Sequence, residues 1–305
     1  MKIADAVEEY ALYMNQRGFA YKSRTSVLRG FSRFVGESDL ETLESCQVEA
    51  FLSRSPNLNS TWLSKHALLT NFFAHWCLRG HSVEAEMPVR RPRVPQEFFP
   101  YVYSNDELRV LLHAASLHVH LNHALEPETL RVVLLFLYAT GTKVSEVVHL
   151  TETDVDTAAK RVFIRETATT RKRTIPISPE LLDIVEGYIS WKRCIGFSGP
   201  SLFIQRDGRS ILKDTIYRNF RKLLRVSRLY RRDGVSERPR LRDLRFTFAV
   251  HRITAWIHDG ADLDRLLPAL SAYMGQKDLT GTERLLKLAP DRFKKELDKL
   301  SPARP

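Results

Sequence analysis

The sequence predicts a mainly α-helical protein with one small β hairpin, divided into two domains. Apolar residues recur at helical spacing through most of the chain, and one short stretch alternates as strands do. A segment with four prolines at 87–103 interrupts the helical pattern. At 305 residues the chain is also long for a single domain. We therefore predict a first domain at 1–86, a linker at 87–103 and a second domain at 104–305.

Four amphipathic helices account for the first domain. They are predicted at residues 2–17, 22–35, 44–53 and 60–79. The fourth helix carries tryptophans and phenylalanines at the spacing of a packed seam. This pattern favours a small helical bundle in which the aromatic rings form the core, rather than a platform on which bases stack.

The proline-rich linker is basic. It contains Arg90, Arg91 and Arg93. Prolines favour an extended backbone, and an extended basic segment can follow a phosphate backbone. An ordinary soluble linker is the alternative.

Start and turn signals order the elements of the second domain. Ser104 and Glu107 have the spacing of a capping box, and Pro127 suits the first turn of a further helix. Residues 161–165 and 173–177 read as the two strands of a hairpin. Further helices are predicted at 179–194, 211–229, 239–251 and around 266–273.

The net charge of +11 is concentrated in the second domain. Basic and acidic residues almost balance over 1–92, so about +10 lies beyond that point. From Arg218 to Arg245 there are eleven basic residues and three acidic ones. A domain of this charge points to a polyanion, of which nucleic acid is the usual one. A solvated basic face is the alternative.

Other compartments and partners are disfavoured. Three scattered cysteines indicate a reduced, cytoplasmic protein. The sequence has no long apolar run and no lipidation motif, which argues against a membrane. Acidic residues follow Met1 too soon for a signal peptide.

A cluster of histidines in the second domain is the one candidate for a metal site. It comprises His113, His118, His120 and His123. No cysteine or carboxylate set completes a zinc site there, so a polar loop is the better interpretation. We expect no metal and no other cofactor.

The segment 239–251 is the most informative stretch of the sequence. As a helix it places one apolar face inward, made of Leu241, Leu244, Phe248 and Ala249. Toward the other side it places Arg240, Arg242 and Arg245. Pro239 suits a first helical turn. The planar guanidinium groups would then be held where they can bind phosphate oxygens.

Two motifs resemble the conserved boxes of the tyrosine recombinase (phage integrase) family. Residues 239–251 contain Asp-Leu-Arg and Thr-Phe-Ala, as does the family's second box, roughly His-Asp-Leu-Arg-His-Thr-Phe-Ala. Residues 139–146, Ala-Thr-Gly-Thr-Lys-Val-Ser-Glu, resemble the first box, Ala-Thr-Gly-x-Arg-x-Ser-Glu. The resemblance implies an N-terminal four-helix core-binding (SAM-like) domain followed by a catalytic-type domain, which together clamp duplex DNA.

The resemblance also implies a chemistry that most matching positions of this chain no longer support. The family cleaves DNA with a tyrosine nucleophile, two arginines, a lysine that protonates the leaving oxygen, and histidines. Arg245 and the acidic helper Glu146 are retained. Substituted positions are Lys143 for the first arginine, Ala168 for the lysine, Arg242 and Gln276 for histidines, and Leu285 for the tyrosine.

We therefore expect a DNA-binding protein of this family that has lost catalysis and acts as an accessory or regulatory subunit in DNA recombination or integration. Its partners would be double-stranded DNA and either an active tyrosine recombinase or further copies of itself. The predicted DNA-binding residues are Arg90, Arg91, Arg93, Lys143, Arg171, Lys172, Arg173, Arg240, Arg242 and Arg245. One alternative is an active recombinase with a displaced nucleophile, Tyr273. Another is a DNA-binding regulator without recombination.

Overall fold

The computed structural model divides the chain into two units, Met1–Glu97 and Phe98–Pro305. The structure describes residues 1–18, 22–54, 59–92, 100–117, 124–166, 172–231 and 238–276. Each unit has a hydrophobic core of its own. No helix within these ranges is long and apolar enough to cross a lipid bilayer.

The first unit is the predicted four-helix arrangement. Its helices are α1 (Ile3–Gln16), α2 (Lys22–Val35), α3 (Ser45–Ser53) and α4 (Asn59–Cys77). The aromatic residues of α2, α3 and α4 pack edge to face at the centre, where the ring of Phe31 lies 5.1 Å from Phe51 and 6.1 Å from Phe73. Trp76 is also buried. This confirms that these side chains form the core.

The described part of the proline-rich segment is packed on the first unit. The Pro88 carbonyl accepts a hydrogen bond from His66 Nε2 at 2.8 Å. The guanidinium of Arg91 lies over the Trp62 ring at 4.6 Å. The division between the units falls inside the predicted linker, after Glu97. Arg93 lies outside the described residues.

The second unit combines helices with a small sheet. Its longer helices are α5 (Asn105–Leu117), α6 (Pro127–Thr140), α8 (Pro179–Cys194), α9 (Lys213–Val226), α10 (Asp243–His258) and α11 (Leu263–Met274). A single helical turn, α7 (Val144–Val147), follows α6. The predicted capping box is confirmed, because the N–H of Ser104 donates to Glu107 and the N–H of Glu107 donates to Ser104 Oγ.

The predicted hairpin is confirmed and gains a third strand. The strands β1 (Val155–Asp156), β2 (Arg161–Ile164) and β3 (Arg173–Pro176) lie in that order and pair antiparallel. Arg161 is opposite Pro176 and Ile164 is opposite Arg173. The sequence did not indicate β1 because two residues are too short to show an alternation.

Helix α10 begins later than its sequence predicts. Its first residue is Asp243, so the prediction that Pro239 lies in the first turn is wrong. The buried carboxylate of Asp243 accepts the Arg240 N–H at 2.8 Å and holds the preceding residues in a turn. The predicted apolar face is confirmed, since Leu241, Leu244 and Phe248 are all buried.

The two units are expected to fold independently. Each contains a separate hydrophobic cluster, and a chain of about 100 residues can bury enough apolar surface to fold alone. Fragments 1–97 and 98–305 should each unfold cooperatively in urea when followed by circular dichroism. A fragment without a cooperative transition would show that its core needs the other unit.

Candidate functional site

Arg245 belongs to a buried cluster of charged side chains in the second unit, which it forms with Glu146 and Arg173 and which we call the charged pocket. Its Nη2 donates to the carbonyl of Met274, at the end of α11, at 2.8 Å. Its Nη1 donates to the carbonyl of Gly141, which ends α6. The sequence placed Arg245 on the solvent side of its helix; the structure instead turns its guanidinium inward. The residue therefore connects α10 to the turn after α6 and to α11.

Gly141 allows the Phe248 ring to lie close to the turn after α6. Its φ of +58° is left-handed, and its N–H caps α6 by donating to the Leu137 carbonyl. A Cβ atom at this position would overlap the Phe248 ring, lying 2.9 Å from Cε1 and closer still to Cδ1. Only glycine meets both conditions without strain.

Glu146 is the buried anion of the pocket. The guanidinium of Arg173 donates two hydrogen bonds to its carboxylate, at 3.0 and 2.9 Å, and the Lys143 N–H donates a third at 2.8 Å. Burial alone would raise the pKa of Glu146. The hydrogen bonds from Arg173 and Lys143 and the charges of Arg173 and Arg245 outweigh it, so the pKa is lowered.

Arg173 continues the network to α11, because its Nε donates to the Tyr273 carbonyl at 2.7 Å. Its side chain is only 10% exposed. Arg173 thus acts as an internal partner of Glu146, and a contact with DNA remains a prediction for this residue.

The pocket holds more positive than negative charge. The pKa of Arg245 is lowered to about 10, mainly by burial. The charge of Glu146 raises this pKa, whereas the charges of Arg173 and Arg242 lower it. At neutral pH the group still carries its proton. One carboxylate therefore faces two guanidinium groups inside the pocket, which favours an added anion.

Three of the substituted family positions, Lys143, Arg242 and Gln276, lie within the described residues. Lys143 precedes α7 and is partly exposed. Arg242 is exposed, with its guanidinium 5.5 Å from the centre of the Phe246 ring. Gln276 follows α11, and its Nε2 lies 3.7 Å from Met274 Sδ. Lys143 and Arg242 add positive charge, whereas Gln276 can donate a hydrogen bond but cannot titrate.

Tyr273 is held in place by a hydrogen bond from its hydroxyl and by stacking of its ring. Its hydroxyl donates to the Pro176 carbonyl at 3.2 Å, and its ring stacks on Phe248 with centroids 5.7 Å apart. Burial raises the pKa of Tyr273 to about 12, and the charges of Arg252 and Arg173 lower it only in part. A phenol in this state is a poor candidate for a nucleophile near neutral pH.

The remaining predicted positions fall in two groups. Ala168, Arg171 and Leu285 lie outside the described residues, as do His118, His120 and His123. Arg90, Arg91 and Lys172 are exposed, and Arg240 is partly exposed. Within the described ranges, no three side chains of the types that bind metals lie close enough together to hold an ion.

Sequence reasoning missed the inward position of Arg173, although the strand pattern contained a signal for it. Residues two apart on a strand share a face, and Ile175 is fully buried. Arg173 therefore had to lie on the buried face of β3. Arg245 gave a similar signal, because the buried residues Phe248 and Ala249 are three and four residues after it on α10.

A second basic feature lies beside the pocket. The face of α9 and the segment 238–242 line a cavity of about 1010 Å³. Six arginines contribute to its lining: Arg218, Arg221, Arg225, Arg238, Arg240 and Arg242. We call it the α9 cavity. These six arginines all belong to the basic stretch noted in the sequence, and together they line one concave surface.

Comparison with known proteins identifies the family. The sequence model of the phage integrase family matches residues 103–278, which is more than half of the chain and includes both boxes. The chain belongs to the phage integrase, or tyrosine recombinase, family. The match covers the retained residues Arg245 and Glu146 of this tyrosine recombinase family member. It also covers the substituted positions Lys143, Arg242 and Gln276.

Full-length relatives of this family member are distant. The integrase/recombinase-type protein y4rB of Sinorhizobium fredii is 26% identical and covers 97% of this chain and 96% of its own length. The tyrosine recombinase XerA of Thermococcus onnurineus is 23% identical over 97% and 95%. The lambda integrase tetramer bound to a Holliday junction shares the fold, with 16% identity, a TM-score of 0.67 and coverage of 96% and 78%.

Proposed function

We propose that this tyrosine recombinase family protein binds double-stranded DNA without cutting it and acts as an accessory subunit beside an active recombinase or a second copy of itself. One observation carries the proposal. The charged pocket keeps Arg245 and Glu146 in place, while Tyr273, the last tyrosine of the sequence, has its hydroxyl bonded to Pro176. DNA as the partner, together with three free cysteines, favours the cytoplasm.

The charge distribution of both units supports DNA binding. In the second unit, Lys143, Lys172 and Arg242 offer cations around the pocket. In the first unit, two clefts along α2 and α4 are lined by cations and by no described acidic side chain; the cations are Arg24, Arg33, Arg54 and Lys65. Structures that share the fold include a lambda integrase dimer bound to a COC′ core site.

The loss of catalysis follows from the atoms that the reaction needs. Strand cleavage requires an oxygen nucleophile, and by resemblance Leu285 stands at its position. It also requires an acid for the leaving 5′-oxygen, and Ala168 stands there. Lys143 keeps the charge of the family's first arginine but loses the bidentate fork. Removing the nucleophile alone abolishes the covalent route.

Binding to duplex DNA is expected to weaken steeply with salt. If about six phosphates are contacted, the slope of log affinity against log salt is about −5 or steeper. The slope is measured by fluorescence anisotropy with a labelled duplex at NaCl concentrations from about 50 to about 300 mM. Affinity that does not change with salt would contradict the proposal.

Arg242→Ala should weaken duplex binding by about 1–3 kcal/mol, because it removes an exposed guanidinium that can bond a phosphate. The matched control is Arg109→Ala on α5. It removes the same charge from a residue that belongs neither to the charged pocket nor to the α9 cavity. Equal losses in both variants would show that net charge, rather than the pocket, determines binding.

A covalent adduct tests the catalytic part of the proposal. The chain is incubated with a nicked duplex that traps a phosphotyrosine, alongside a related active recombinase as a positive control. We expect no adduct from this chain and none from Tyr273→Phe. An adduct mapped to Tyr273 would establish the displaced-nucleophile alternative instead.

A further inference from the structure

The α9 cavity has two kinds of surface. Its rim carries the six arginines, and its floor is made of buried apolar side chains, among them Phe220, Leu224 and Leu241. At about 1010 Å³ it is at the upper end of the range of roughly 300–1,000 Å³ seen for ligand pockets. Asp214 is the one carboxylate among its lining residues. Such a cavity suits an anion that also has an apolar face.

Two tyrosines of the cavity are exposed without an internal role. Tyr217 is 37% exposed and Tyr230 is 56% exposed. Neither hydroxyl makes a hydrogen bond to any residue in the described ranges. Four of the arginines, Arg218, Arg221, Arg225 and Arg238, form no ion pair with another described residue. Aromatic faces and unpaired guanidinium groups therefore meet in one concave surface.

A regular duplex would contact the arginines of this surface but not its tyrosine rings. Phosphates of paired DNA need cations, but the faces of the bases are covered by their neighbours in the stack. An unpaired nucleotide presents a flat π face together with its phosphate. Proteins bind such nucleotides by stacking the base on aromatic or arginine side chains and by pairing the phosphate with cations.

We propose that the α9 cavity takes one unpaired nucleotide of bound DNA, with the base stacked against Tyr217 or Tyr230 and the phosphates on the arginine rim. This proposal rests on the DNA binding proposed above. It gives the protein a preference for DNA with a bulged or displaced base next to the site that Arg242 contacts.

The test compares two labelled duplexes of the same sequence, one fully paired and one with a single extra nucleotide, by anisotropy on the full chain. We expect the bulged duplex to bind roughly 5- to 150-fold more tightly, the range for one base stacked on an aromatic side chain. The double variant Tyr217→Ala/Tyr230→Ala should lose this preference, and Tyr217→Phe/Tyr230→Phe should keep it. The control is Phe163→Ala, which removes a 44% exposed aromatic ring from β2.

A second readout follows the base itself. With 2-aminopurine as the extra nucleotide, stacking on a tyrosine should quench its fluorescence in the native chain and in the phenylalanine variant, but not in the alanine variant. Equal affinity for both duplexes, with salt-dependent binding intact, overturns this inference and leaves DNA binding standing. Absence of binding to either duplex overturns both. A bulge preference that survives Tyr217→Ala/Tyr230→Ala, or binding of an acidic amphipathic peptide in the cavity with no such preference, also overturns it.

Discussion

Glu146→Ala is expected to lower the free energy of unfolding of the second unit by about 3–5 kcal/mol, the range measured when one partner of a buried ion pair is removed. The side chain of Glu146 is fully buried and that of Arg173 is 10% exposed, so water cannot replace the lost carboxylate. Arg245 would also lose the anion that supports its charge. Urea denaturation of the native chain and the variant measures the change.

Two matched variants separate the ion pair from general effects. Asp106→Ala removes a carboxylate whose pair with Arg109 is exposed, and it should cost no more than about 1 kcal/mol. Glu146→Leu combined with Arg173→Met should recover much of the lost stability, because it removes both charges and keeps the volume. If Glu146→Ala costs no more than Asp106→Ala, the pocket is open to water.

The pH dependence of stability should follow the same carboxylate. The native pKa of Glu146 lies below its ordinary value of 4.5, so the unfolded chain binds the proton more readily. The stabilisation is fully present above pH 4.5 and is lost as the pH falls through the lowered native pKa. Glu146→Gln should flatten this part of the curve.

Gly141→Ala is expected to cost about 2–5 kcal/mol by two additive routes. A left-handed conformation costs an ordinary residue about 1–2 kcal/mol, and overfilling a packed site costs about 1–3 kcal/mol. The Phe248 ring that the new methyl group would meet is already packed against the Tyr273 ring, with centroids 5.7 Å apart, which limits its movement. The free energy of unfolding measures the sum.

A second glycine isolates the steric part. Gly260 also has a positive φ, +66°, but a Cβ atom there would have no neighbour within 4 Å. Gly260→Ala should therefore show only the conformational cost. Phe248→Leu introduced together with Gly141→Ala should recover part of the difference between the two glycine variants. Equal losses at Gly141 and Gly260 would mean that the contact with Phe248 is unimportant.

The sequence predicted the helices well because each has an apolar face with the period of a helix. It also located the hairpin. What it could not give were contacts between distant segments: Arg173 on Glu146, and Arg245 on the carbonyls of Gly141 and Met274. From the sequence, a charged residue in a basic stretch is predicted to be exposed to solvent, because the backbone carbonyls that bind it come from distant segments.

The error at Pro239 has a comparable cause. Proline is compatible with a first helical turn, but the buried carboxylate of Asp243 accepts the Arg240 N–H and fixes the helix start three residues later. The local sequence is compatible with a helix that starts at Pro239 or at Asp243. The hydrogen bond of the buried Asp243 carboxylate stabilises the later start.

The attachment of Tyr103 determines how a mechanical load enters the second unit. Tyr103 is fully buried, its N–H donates to Thr247 Oγ1 at 3.0 Å, and its hydroxyl donates to the Arg240 carbonyl at 3.4 Å. Thr247 lies on α10, two residues from Arg245. Tension in the chain that enters this unit is therefore transmitted to the helix that carries Arg245. A displacement of Tyr103 would reach the charged pocket through α10, without any ligand at the pocket itself.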